Sequence, residues 1–185
     1  FRVGTDVHTS IASRVFKVAE KDVTPEMRRK AKVINFGIVY GMGVNALKDN
    51  LGSTRAEAQQ FYDNYFLTFP KIAKYFEEVK SRAKKDGFTT TYFGRHRFFA
   101  GLKSPIPFIR ASAERMAMNA PLQGTAADII KIAMKRAYDG LEKEGLLPQV
   151  HLLLQIHDEL LYEVKKETVS RAREVIEEAM EHAVE

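Results

Sequence analysis

The stretch Thr24 to Gly43, TPEMRRKAKVINFGIVYGMG, carries two different side-chain patterns on a single helix. Thr24 followed by Pro25 reads as an N-cap and a first helical position, and Gly41 and Gly43 supply a stop. At ~100° per residue, Met27, Ala31, Ile34 and Ile38 fall within roughly 60° of one another and make a core-facing stripe. Arg28, Lys32, Phe36 and Tyr40 recur every fourth residue, roughly 90° or more from the centre of that stripe, with Arg29 beside them. The second stripe is cationic at its start and aromatic toward its end. A helix needs only one face for the core, so this one is left for another partner.

That order of side chains suits a ligand with phosphates at one end and a flat ring at the other. Free N–H groups and a partial positive charge at a helix N-terminus, with three added cations, make a polyanion site. Phe36 and Tyr40 lie one and two turns on, where a base can stack. Gly37 has no side chain beside Phe36 and is expected to let a base approach the backbone. By periodicity alone, a solvated basic helix whose aromatics pack on a neighbour is an equal reading.

The chain has 185 residues, 45% hydrophobic, enough for a core of one or two small domains. It has no cysteine, so disulfides and thiolate metal sites are excluded, in keeping with a reducing cytoplasm. No apolar run approaches a membrane span, no signal peptide is visible, and no membrane partner is expected. The net charge of +5 is uneven: residues 1–110 carry 20 Lys and Arg against 10 Asp and Glu, residues 111–185 carry 9 against 14. A basic front half suits a polyanion such as nucleic acid, although many helical proteins have basic surfaces.

Along the chain, Asp6 to Lys17 reads as a short helix. Thr54-x-x-Glu57 is a capping box for a helix to about Thr68, and Pro70 opens another ending near Gly87. Thr89 to Phe99 reads as a hairpin turning at Gly94, with Arg95 and Arg97 beside the turn. A helix over Ile109 to Asn119 is predicted to be interrupted by Pro121 and to resume at Thr125, where Thr125-x-x-Asp128 resembles a second capping box, and to run to about Glu144. Thr168 to Val184 is a final amphipathic helix with Val169, Ala172, Val175, Ile176 and Ala179 on one face.

Two further stretches carry chemistry. In HLLLQIHDELLYEV, the strands Val150 to Ile156 and Leu160 to Val164 are predicted to be buried, lifting Asp158 and Glu159 to a sheet edge where a carboxylate holds Mg²⁺ against phosphate. Any hairpin needs polar turn residues, which His157-Asp158-Glu159 also provides. In RMAMNAPLQG, Arg115, Asn119 and Gln123 share one face if the helix persists. Donors of that kind suit the minor-groove acceptors present on every base pair, and equally suit water.

The string Arg28-Arg29-x-x-Lys32-x-x-x-Phe36-Gly37-x-x-Tyr40-Gly41 resembles the nucleotide-binding fingers helix of family A DNA polymerases, the DNA polymerase I type. Gln155-x-His157-Asp158-Glu159 resembles that family's second carboxylate motif, and Glu114-Arg115-x-x-x-Asn119-x-Pro121-x-Gln123-Gly124-Thr125-Ala126-Ala127-Asp128 its DNA-contacting helix. The three occur in the family's order. The resemblance implies an α+β, mostly helical fold: fingers helices over residues 1 to about 108, then part of an antiparallel palm sheet over 109–185. It implies a DNA-directed DNA polymerase acting on primer–template DNA and dNTPs with two Mg²⁺ ions, monomeric when complete, in a bacterial or phage-infected cell.

Residue by residue, the resemblance places Arg28, Arg29, Lys32 and His8 on the dNTP phosphates and Phe36 on sugar and base. Tyr40 would stack at the template side. Without a hydroxyl, Phe36 implies discrimination against dideoxynucleotides. Arg97, Arg115, Asn119, Gln123, Tyr40 and His157 are the DNA-side positions, with Arg95 also basic near the DNA. Asp158 is the metal ligand and, with Lys32 and Glu159, the catalytic set. The cation-and-ring side of the early helix and the acidic turn are expected to serve one cleft. No residue before Asp6 matches the family's first catalytic Asp, so the chain is expected to be an incomplete polymerase, inactive alone. A nucleotide- and DNA-binding module without catalysis, or a purely structural helical domain, are the other readings.

Overall fold

Capping and apolar spacing set the first helices. In the computed structural model, which describes residues 6–184, Asp6 caps α1 (Val7–Phe16), Thr24 caps α2 (Pro25–Val39) and Gly43 precedes α3 (Val44–Leu51). The Thr54–Glu57 capping box is formed in both directions and opens α4 (Arg55–Thr68), and Pro70 starts α5 (Pro70–Asp86). Strands β1 (Phe88–Thr90) and β2 (His96–Phe98) pair antiparallel. Helix α6 spans Pro107–Lys143, followed by β3 (Val150–Ile156), β4 (Glu159–Val164) and α7 (Val169–Glu181). The described residues form two compact units, one of residues 6–90 and 96–121, the other of 91–95 and 122–184.

In the first unit, Ala31, Ile34 and Ile38 of α2 are buried with Ile11, Val15, Leu47, Leu51, Tyr65 and Phe76, and Met27 packs against them. The core stripe read from the sequence is therefore the buried one. Tyr65 is fully buried, its hydroxyl donates to Asn35 Oδ1 at 2.7 Å, and burial pushes its pKa up to about 12. A second cluster sets Ala113, Ala117 and Ala120 of α6 against Ala83, Phe99 and Leu102. In the second unit, Leu141, Val150 and Ala172 are buried, with Tyr162, Val164, Val175 and Ile176 against them. Gly140 admits α7 closely, since a Cβ there would lie 2.7 Å from Val175 Cγ1. Glu144 accepts two hydrogen bonds from Arg171, at 2.6 and 2.9 Å.

Three expectations change. Helix α3 was not anticipated, although Val44, Leu47 and Leu51 have helical spacing and Gly52 ends it in the left-handed region. Pro121 does not interrupt α6, and Thr125-x-x-Asp128 is not a cap. An internal proline costs ~3 kcal/mol. Here alanines are packed on one side of it, and on the other Gly124 and Thr125 accept hydrogen bonds from the β1–β2 turn. Finally, β3 and β4 are not buried strands. Leu153, Leu154, Ile156 and Leu161 are about half exposed; among the described residues, Val150, Tyr162 and Val164 are the strand positions in the buried cluster with Leu141 and Ala172. No helix among the described residues is long and apolar enough to cross a membrane.

Candidate nucleotide and nucleic-acid interface

The second face of α2 is free of the core. Arg28, Arg29 and Lys32 are exposed, and so are Phe36 (42%) and Tyr40 (52%). The two rings lie nearly parallel, with centroids 6.4 Å apart, and Lys32 Nζ sits 6.0 Å from the Phe36 centroid. His8 of α1 leans on the other flank of Phe36, with centroids 5.5 Å apart, and its Nδ1 is a buried atom without a hydrogen bond among the described residues. One side of the helix thus presents cations and then stacked rings to solvent.

Two details differ from the sequence reading. The N-terminus of α2 is not open, because the Thr24 hydroxyl accepts from the Met27 N–H at 3.2 Å. The cationic side chains, more than free amides, make that end attractive to anions. Gly37 is buried and faces inward, where a Cβ would lie 2.9 Å from Met42 Sδ. Its missing side chain makes room for Met42, not for a base.

The end of α2 meets the front part of α6. Gly41 adopts φ +75°, and a Cβ there would lie 3.0 Å from Arg115 Cβ. Tyr40, Gly41, Asn45, Arg55, Gln59 and Arg115 line a cleft of ≈ 620 Å³. An exposed ring, two guanidiniums and two amides make a surface suited to a base and its phosphate. On α6 Arg115 and Gln123 are exposed, while Asn119 is half-buried with its Oδ1 buried and unpartnered among the described residues. The continuous helix puts the three at fourfold spacing.

The two arginines beside the hairpin turn part company. Arg95 Nε donates to Asp128 Oδ1 at 2.7 Å and its Nη2 to the Gly124 carbonyl at 3.0 Å. Tyr92 N–H donates to Thr125 Oγ1 at 2.9 Å, and a Cβ on Gly124 would lie 2.6 Å from Thr91 Cγ2. The Thr91 hydroxyl, then Arg95, hold the Asp128 carboxyl below its ordinary range. Gly124, Thr125 and Asp128 therefore lock the turn, and Arg95 is occupied by that lock. Arg97 is exposed, its guanidinium carbon 5.2 Å from the Phe99 centroid.

At the other hairpin, His157 and Asp158 form the two-residue connection, and Glu159 begins β4 opposite Ile156. His157 takes φ 54°, and Gln155 Nε2 donates to its carbonyl at 2.9 Å, which steadies the turn. Asp158 and Glu159 are both exposed. No group of three or more His, Cys, Asp or Glu among the described residues is placed to hold a metal ion. This hairpin offers a carboxylate to an ion but does not build a metal centre by itself.

The family model described as DNA polymerase family A matches residues 1–185. The chain belongs to DNA polymerase family A. It is 46% identical over 184 residues to DNA polymerase I of Bacillus caldotenax, which covers 100% of this chain and 21% of that protein. It is 41% identical over 181 residues to the thermostable DNA polymerase I of Thermus aquaticus, covering 98% of this chain and 21% of the other. The chain thus spans about a fifth of the length of these curated relatives. A solved structure, the POL domain of Pol1 from M. smegmatis in complex with DNA primer-template and dNTP, superposes with a TM-score of 0.90 at 39% identity. That match covers 99% of this chain and 32% of the other.

Within this family A chain, the first unit brings together His8, Arg28, Lys32, Phe36 and Tyr40, and it sets Tyr40 beside Arg115. Arg55 and Gln59, which line the same cleft, were not singled out from sequence. They sit on the outer face of α4, and only the fold of α2, α3 and α4 around Leu47 and Leu51 brings them to Tyr40.

Proposed function

We propose that this chain is the nucleotide- and template-handling part of a DNA-directed DNA polymerase. Residues 1–108 correspond mainly to its fingers and 109–185 to part of its palm. The complete enzyme would add dNTPs to a primer 3′ end under template direction, at a site in the reducing cytoplasm. The observation that carries this reading is the meeting of Tyr40 and Arg115 in one cleft, at the aromatic end of a helix that begins with three cations.

In this reading Arg28, Arg29 and Lys32 bind the triphosphate, the guanidiniums by forked hydrogen bonds and the ammonium as a compact charge. His8 adds a ring nitrogen to the phosphate side, and Phe36 supplies a face for sugar and base. Tyr40 stacks at the templating base. Arg115, Asn119 and Gln123 touch the duplex through acceptors common to all base pairs, which supports copying any sequence. Arg97 contacts the phosphate backbone, and His157 lies by the primer end. Mg²⁺, if bound in the complete enzyme, would supply charge neutralisation at the phosphates and activation of a hydroxyl. Asp158, with Glu159 next to it, would give it one carboxylate. The described residues alone do not fit a full metal centre.

Binding and turnover separate in a direct experiment. The 185-residue chain should bind dATP with Mg²⁺ and bind primer–template, and Lys32→Ala and Arg115→Ala should weaken the first and the second respectively. It should extend no primer. Binding unaffected by both substitutions contradicts the site, and primer extension by the purified chain contradicts the view that catalysis needs residues outside it.

A further inference from the structure

Asp6 does more than cap α1. Its Oδ1 accepts from the His8 backbone N–H at 3.0 Å, and its Oδ2 accepts from the Thr9 hydroxyl at 2.8 Å. The same carboxylate reaches α2, where Arg28 Nε donates to Oδ2 at 2.6 Å and Nη2 to Oδ1 at 3.4 Å. Both side chains remain nearly half exposed, at 43% for Asp6 and 47% for Arg28. An exposed pair of this kind adds little to folding stability. It is also not needed to join the helices, because Ile11, Ala12 and Val15 already pack in one cluster with Ala31, Ile34 and Ile38.

What the pair controls is direction. An arginine on an exposed first turn otherwise samples many rotamers, and ordering it on binding reduces affinity. Asp6 is anchored at both oxygens by its own helix, so it is a fixed base for Arg28. Arg28 foremost, then the Thr9 hydroxyl, keeps the Asp6 carboxyl well below the usual carboxylate range, so it stays ionised at any working pH. The contact takes up the Nε–Nη2 edge of the guanidinium and leaves its other N–H groups for a second anion.

We propose that Asp6 is a positioning residue for triphosphate binding: it grips Arg28 by the Nε–Nη2 edge and presents the rest of the fork to the phosphates. This rests on the reading of the α2 cation face as a nucleotide site. The competing physical effect is a carboxylate that merely occupies Arg28 and repels phosphate, which predicts the opposite sign.

The test is a double-mutant cycle on the 185-residue chain, with affinity for dATP in the presence of Mg²⁺ read by NMR titration. Asp6→Asn is the informative variant, since Asn caps a helix as well as Asp but removes the charge that holds Arg28. We expect Arg28→Ala to weaken dATP binding about tenfold, and Asp6→Asn to weaken it about three- to tenfold, the usual scale for one charge-assisted contact. In the Arg28→Ala background, Asp6→Asn should add nothing, because Asp6 acts through Arg28. Thr9→Val, which removes one of the two hydrogen bonds anchoring the carboxylate without changing either charge, should give a smaller loss of the same sign. Wild-type or tighter binding by Asp6→Asn, or a loss that persists undiminished in the Arg28→Ala background, overturns the proposal while leaving the nucleotide site intact. If Arg28→Ala binds as the wild type does, the nucleotide reading itself fails, and the proposal with it.

Discussion

Helix α2 and the β3–β4 hairpin both expose large apolar side chains, for opposite reasons. On α2, Ala31, Ile34 and Ile38 are buried, so Phe36 and Tyr40 are left over after the core is complete. They share their face with cations and lie in ordered ring contacts. On β3 and β4, the exposed leucines belong to a two-stranded sheet that the described residues do not cover. An isolated two-stranded hairpin is at best marginal in water unless packed on other elements. Exposure beside a finished core leaves a face available to a ligand, whereas exposure in an underpacked sheet leaves surface that contributes little to stability.

The sharpest way to break that distinction is paired truncation. Ile34→Ala removes a fully buried side chain and should cost about 2–5 kcal/mol in denaturant unfolding. Leu154→Ala, at a half-exposed position, should cost under about 1 kcal/mol. Equal losses would mean that the hairpin is as well packed as α2. The next effect concerns ligand, not fold: Lys32→Ala should weaken dATP binding about tenfold with little change in the unfolding midpoint. A matching fall in stability would assign Lys32 to the scaffold.

A smaller effect is expected where the two helices of the cleft meet. Gly41→Ala forces an L side chain to φ +75° and brings its Cβ to 3.2 Å from Arg115 backbone atoms. A loss of about 1–2 kcal/mol is expected in thermal or denaturant unfolding. Gly37→Ala should cost less, since it meets the movable tip of Met42. Leu154→Ser and Leu161→Ser should leave stability nearly unchanged and reduce self-association in light scattering, because they shrink an exposed apolar patch.

The smallest effect is electrostatic. Asp6 is held below its unfolded carboxyl pKa, first by Arg28, so the folded state binds its proton less readily. The contribution of the pair is complete above the ordinary carboxylate range and is lost as pH falls through the depressed folded value. Acid titration of α1 signals should therefore show Asp6 protonating only below the ordinary carboxylate range. Arg28→Ala should bring Asp6 back toward its ordinary value.

Much of the fold was legible because it depends on neighbours close in sequence. The cap at Thr24, the box at Thr54 and Glu57, and the fourfold spacing of Ala31, Ile34 and Ile38 need no distant partner. Misreadings arose where a distant residue decided the matter. Gly37 looked like space for a base because Met42 was not known to fold back over it. Pro121 looked like a break because the hydrogen bonds from Arg95 and Tyr92 to Gly124 and Thr125 are not local. Arg95 looked like Arg97, yet only Arg95 is paired with Asp128. The burial predicted for β3 failed for the same reason: apolar composition shows what a strand can cover, not whether a neighbour is there.

The central claim is that the cation-and-ring face of α2 is where nucleotide binds. Titrating isotopically labelled chain with dATP and Mg²⁺, and mapping the shifted NMR resonances, addresses it directly. The account predicts saturable shifts centred on His8, Arg28, Lys32, Phe36 and Tyr40, lost in Lys32→Ala. Shifts scattered over basic residues elsewhere, such as Lys71, Lys74 and Lys85 on α5, or unchanged in Lys32→Ala, would contradict it.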